Sequence, residues 1–64
     1  PFGGAVEIFA QQKASLRKKG TPIDDFDLLI AATALQHDLV LVTNNTKHFE
    51  RVEGLKMEDW VERI

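Results

Sequence analysis

The sequence predicts an α/β fold built on a parallel sheet, and three stretches predict it. An amphipathic segment over residues 4–19 stops at Gly20, and an almost wholly apolar helix opens at Asp24. A short β-rich run, Leu39 to Thr43, follows that helix. A continuous apolar run of this length after a helix reads as a strand buried on both faces, as in a parallel sheet.

Each element has its local reason. In the first helix Ala5, Ile8, Phe9 and Leu16 fall at helical spacing, with Gln12 interrupting the stripe. Gly20 stands where a helix stops in the left-handed conformation, after a basic last turn, and Thr21-Pro22 leads the chain away. In the second helix Asp24 is the expected N-cap, and Asp25 and Asp27 supply an acidic first turn that suits the helix dipole. Ile23 and Leu28 are spaced for a hydrophobic staple. From Leu28 to Leu35 the chain is apolar nearly all round, which predicts burial on most sides. Gln36-His37-Asp38 breaks the helix ahead of the strand. Asn44-Asn45-Thr46 reads as a turn that also caps a short helical segment through Phe49. Leu55-Lys56-Met57 reads as a second, short parallel strand. Glu58 to Ile64 reads as a terminal turn or helix anchored by Trp60, Val61 and Ile64.

Composition bounds what such a chain can be. At 64 residues it is one domain at most, and folding at this size buries only about 60% of the unfolded surface. There is no cysteine, hence no disulfide and no thiolate metal site. A hydrophobic content of 44% with 28% charged residues is that of a folding chain rather than a disordered one. No apolar run is long enough to span a membrane and no secretory pattern opens the chain, so a cytoplasmic protein is expected. The chain starts at Pro1 without Met, which points to processing or to a preceding segment. One long and one short strand cannot cover the predicted apolar run, and two-stranded sheets are marginal in water. Residues 1–64 are therefore expected to be a partial domain, or to complete themselves with another copy.

The net charge of −2 is unevenly placed, with Lys13, Arg17, Lys18 and Lys19 in the first helix and most acids after it. Overall acidity argues against broad phosphate-driven binding of nucleic acid by this chain alone. The candidate site is the carboxyl end of the strand, where α/β sheets bind ligands, together with the start of the apolar helix. Thr43, Asn44 and Asn45 lie at the first, and Asp24, Asp25 and Asp27 cluster at the second. Oxygen donors of this kind suit Mg²⁺ or Mn²⁺, which activate water and steady an in-line phosphoryl displacement. Simple helix capping accounts for Asp24 and Asp27 as well, and turn formation accounts for Asn45 and Thr46. His37 and His48 lack zinc-binding spacing. Gly3-Gly4 is no phosphate loop, and Ser15 and Thr33 lack the partners of a nucleophile.

The succession Gly20-Thr21-Pro22-Ile23, Asp27-Leu28-Leu29-Ile30-Ala31-Ala32, Leu41-Val42-Thr43-Asn44-Asn45, Phe49, Gly54-Leu55 and Trp60 resembles the C-terminal half of PIN-domain ribonucleases, specifically VapC-type toxins of toxin–antitoxin pairs. The likeness runs over essentially the whole chain and is most specific from Ile23 to Phe49. It implies a three-layer α/β/α fold around a parallel sheet, with carboxylates that bind Mg²⁺ or Mn²⁺ and activate water to cut RNA, often tRNA. By that resemblance Asp27 is a metal ligand, and Thr43 and Asn45 are the polar positions at the strand end that orient water or a phosphate oxygen. Relatives often carry a further carboxylate near there, where this chain has Asn45 and His48. Asp24 and Asp25 match variable positions and receive no catalytic role. Lys47 and Arg51 are the best-placed cations for an RNA backbone, with solvated surface charge as the plainer reading.

The resemblance also implies upstream acids, on a first strand and an early helix, that these 64 residues do not include. One carboxylate holds Mg²⁺ poorly. The chain alone is accordingly expected not to be a competent nuclease. Two functions follow: a piece of a metal-dependent endoribonuclease toxin, or an inactive PIN-derived module that self-associates or binds a partner. An antitoxin partner and a homo-oligomer belong to the first expectation.

Overall fold

The computed structural model describes residues 4–59. Helix α1 spans Gly4–Lys18 and helix α2 spans Asp25–Gln36. Strand β1 is Val40–Val42, helix α3 is Thr46–Phe49 and strand β2 is Lys56–Glu58. The segment of Trp60, Val61 and Ile64 lies outside the described residues.

The end of α1 follows from Gly20. At φ +77° it takes the left-handed conformation, and its N–H donates to Arg17 O while the Thr21 N–H donates to Leu16 O. This pair of bonds closes the last turn and satisfies carbonyls that a helix end otherwise leaves open. Helix α2 ends in the same way around Asp38, a non-glycine residue at φ +54°. There Asp38 N–H donates to Leu35 O and Leu39 N–H to Ala34 O. Aspartate is among the few residues that tolerate this conformation. The Asp38 carboxylate also meets Lys56 Nζ at 2.8 Å, joining the end of α2 to β2.

That lysine donates a hydrogen bond and places a positive charge beside the carboxylate, so the Asp38 pKa lies below its ordinary 3.8. A carboxylate with a depressed folded-state pKa adds stability above its unfolded value and loses it as pH falls through the folded one. The contact is therefore intact at neutral pH and dissolves only below about pH 3.8. In Lys56→Gln the Asp38 carboxyl carbon, followed by NMR, titrates at a higher pH than in the parent.

The start of α2 is held by Asp24, whose Oδ2 accepts from Phe26 N–H at 3.1 Å and Asp27 N–H at 3.3 Å. Ile23 and Leu28 on either side of the cap are both buried, as the staple requires. Asp24→Ala removes the acceptor for two otherwise open donors and should cost about 1 kcal/mol in chemical unfolding.

The core lies where the helices meet the sheet. Leu16, Ile23, Leu28, Ala31, Phe49 and Val52 form it, with Leu41 of β1 and Met57 of β2 against its edge. Gln12, the polar break in the α1 stripe, reaches Glu53 O at 3.3 Å and ties α1 to the loop before β2. Strands β1 and β2 are parallel, Leu41 opposite Met57, joined through α3. Beyond the ladder Thr43 N–H donates to Glu58 O at 3.0 Å.

Three expectations need correction. The strand is not buried on both faces: Val40 and Val42 are 48% and 49% exposed, because the described helices cover only the face that carries Leu41. Helix α2 is likewise not enclosed, and Leu29 and Ile30 remain exposed on its outer side. The second strand is Lys56–Glu58 rather than Leu55–Met57; Leu55 instead closes the preceding turn, its N–H donating to Val52 O.

Candidate functional site: the Asp27–His48 pair beside the strand end

The acidic first turn of α2 divides among three neighbours. Asp24 caps the helix. Asp25 points to α1, where Lys13 Nζ meets Oδ1 at 3.1 Å and also lies 5.6 Å from the Phe9 ring centroid. Asp27, one helical turn beyond the cap, faces α3, and its Oδ2 lies 3.1 Å from His48 Nε2. Three aspartates within four positions thus do three separate things. The α-helix fans adjacent side chains around its axis, and only Asp27 is directed toward the β1–α3 connection.

That connection is built on Thr43. Its Oγ1 accepts from the Asn45 N–H at 3.0 Å, a turn the side chain makes with the backbone two residues on. Asn45 O then accepts from His48 N–H at 3.1 Å and Phe49 N–H at 3.4 Å, starting α3. Thr43, Asn45, His48 and Asp27 are therefore linked by consecutive hydrogen bonds. The Asn45 side chain does not cap α3, contrary to expectation, because its backbone carbonyl makes these bonds instead.

His48 is the residue that sequence reasoning misplaced. It stands there only as a neutral substitute near the strand end, whereas it is the side chain that touches Asp27. The two residues are 21 positions apart, and no local pattern signals the pairing. Of the two cations expected near RNA, Arg51 donates from Nη1 to Pro22 O at 3.4 Å, bracing the loop before α2. Lys47 is exposed. The Thr33 hydroxyl donates to Leu29 O, four residues back in α2.

Chemically, the site offers a half-exposed carboxylate and the oxygens of Thr43 and Asn45. Hard oxygen donors fit Mg²⁺ or Mn²⁺, and Asp27 is fit to be one ligand. Among the described residues no three His, Cys, Asp or Glu side chains converge to hold an ion, so these residues supply only part of such a site. Two apolar grooves of about 290 and 320 Å³ lie away from it, one along Val6, Phe9, Phe26 and Leu29, the other along Ile30, Leu39 and Val40. No described helix is long and apolar enough to cross a membrane.

Comparison with known proteins bears on this arrangement. The PIN domain family matches residues 4–55. The tRNA(fMet)-specific endonuclease VapC of Shigella flexneri is 50% identical over 50 residues, which are 78% of this chain and 38% of that protein. Ribonuclease VapC2 of Haemophilus influenzae is 47% identical over 53 residues, 83% of this chain and 40% of that protein. Among solved structures, VapBC-1 from nontypeable Haemophilus influenzae superposes with a TM-score of 0.87 at 37% identity, over 94% of this chain and 45% of that one. DNA-bound VapBC from Salmonella typhimurium gives 0.84 at 44% identity, over 89% of this chain and 43% of that one. The chain spans about two-fifths of the length of the curated relatives it matches.

Proposed function

The chain belongs to the PIN-domain family, and on that premise we propose that it contributes one metal-binding carboxylate, Asp27, to the site of an endoribonuclease toxin. The observation that carries the reading is the division of labour in the first turn of α2. Asp24 and Asp25 are engaged in capping and in a surface ion pair, while Asp27 is directed to the carboxyl-end side of β1. The similarity to ribonucleases at 47% and 50% identity supports the reaction class.

In this reading Asp27 holds Mg²⁺ or Mn²⁺ together with carboxylates from outside the described residues. The ion, when bound, makes water a better nucleophile and steadies charge on the phosphodiester being hydrolysed. Thr43 uses its lone pair on the Asn45 N–H, which turns its own hydroxyl proton outward as a donor to water or a phosphate oxygen. Asn45, whose side chain makes no capping bond, presents its amide to the same region. Exposed Lys47 is the available contact to the RNA backbone, with tRNA as the substrate class by similarity to the Shigella enzyme.

A protein antitoxin as partner is supported by the solved neighbours, which are VapBC structures. A cytoplasmic location and self-association through the exposed apolar side chains of α1 and α2 complete the proposal. The test is RNA cleavage by the purified protein with Mg²⁺ and with a chelator. Metal-dependent cleavage supports the enzyme. Metal binding at Asp27 without cleavage, in a preparation that self-associates or binds the antitoxin, favours an inactive module instead.

A further inference from the structure

We propose that His48 is a positioning residue, holding the Asp27 carboxylate so that one oxygen is committed to the imidazole and the other is presented to the metal. This rests on Asp27 being the metal-binding carboxylate proposed above. Nε2 of His48 meets Oδ2 of Asp27 at 3.1 Å, and a bond to a carboxylate requires that nitrogen to carry its proton. Oδ1 is then the oxygen left to ligate. A carboxylate fixed in this way binds through one oxygen with its rotation already restricted, which lowers the ordering cost of metal binding.

Two features separate this contact from ordinary surface pairing. First, the imidazole is itself held: its ring stands edge-on to Phe49 at 5.2 Å and 86°, and Phe49 belongs to the core. The His48 backbone N–H is also bonded to Asn45 O at the start of α3. Secondly, the pair is shielded. Side-chain exposures are 25% for His48 and 34% for Asp27, against 39% and 66% for Lys13–Asp25 and 60% and 81% for Lys56–Asp38. Water competes less for the Asp27–His48 bond than for either of the others.

The test is Mn²⁺ affinity, measured by EPR titration of free Mn²⁺ against the purified protein and its Asp27→Ala, His48→Ala and His48→Gln variants. Urea unfolding of each variant checks that the fold is intact. The expected result is loss of the site in Asp27→Ala, a fall in affinity of roughly 10- to 100-fold in His48→Ala, and recovery to within about threefold of the parent in His48→Gln. Glutamine keeps an N–H donor at similar reach without an imidazole. If the parent binds no Mn²⁺, or Asp27→Ala binds as the parent does, the metal-ligand reading of Asp27 fails. If Asp27→Ala loses the site while His48→Ala keeps it, or His48→Gln binds as weakly as His48→Ala, that reading stands and the positioning role is overturned. An imidazole nitrogen directly coupled to the bound Mn²⁺ would also overturn it, by making His48 a ligand.

Discussion

Asp27→Asn should lower metal-dependent RNA cleavage by more than about 100-fold while leaving the fold unchanged. Loss of a residue that merely supports a metal ligand already costs 10- to 100-fold, so loss of the ligand's own charge should cost more. Asparagine has nearly the same shape as aspartate and keeps an oxygen within reach of His48 Nε2. The backbone N–H at position 27 still donates to Asp24 Oδ2, so the start of α2 is preserved. What is removed is the negative charge, and Mg²⁺ surrenders its water reluctantly to a neutral oxygen. Asp25→Asn is the matched control, because it lies two residues away and pairs with Lys13 on the surface. It should cleave as the parent does. Initial rates at saturating Mg²⁺, with circular dichroism alongside, separate the two outcomes.

Leu28→Ala should cost roughly 2–5 kcal/mol, the largest stability loss expected from a single truncation here. Leu28 is 1% exposed and belongs to the one core cluster, alongside Leu16 and Phe49. It is also half of the staple that fixes the entry to α2. A domain of this size has a net stability of only about 3–10 kcal/mol at typical values per residue. A deletion of this size can therefore consume most of it. Leu29→Ala, one residue on, should change stability by less than about 0.5 kcal/mol, since Leu29 is 47% exposed. Urea midpoints for the two variants provide the comparison. Equal losses would mean that the outer side of α2 is covered in solution by a second copy or by a partner.

The elements that were legible in the sequence are those whose causes are local. Gly20 ends α1 through its own backbone freedom, Asp24 caps α2 through a carboxylate two and three residues from its donors, and Ile23 and Leu28 bracket the cap. The αL turn at Asp38 was less legible because glycine is the usual signal there and aspartate only an occasional one. Burial was legible only in part. An apolar run such as Leu39 to Thr43 states that its residues can be buried, but it does not say what covers them. Here Leu41 faces the core while Val40 and Val42 do not.

In the candidate site, Asp27, Thr43 and Asn45 were found by type and position. Their consecutive links through His48 depend on how α3 folds back toward α2, and no local spacing encodes that. The same geometry separates Asp24 and Asp25 from Asp27, which composition alone presents as one acidic cluster.

Paramagnetic broadening by Mn²⁺ provides the most direct measurement of whether metal binds at Asp27. With the backbone and His48 imidazole resonances assigned, substoichiometric Mn²⁺ should broaden signals first at Asp27, His48, Thr43 and Asn45, and Mg²⁺ should reverse the effect. Broadening centred on Asp25 and Lys13, or spread evenly over the exposed acids with the signals of Asp27 and His48 kept sharp, would contradict it.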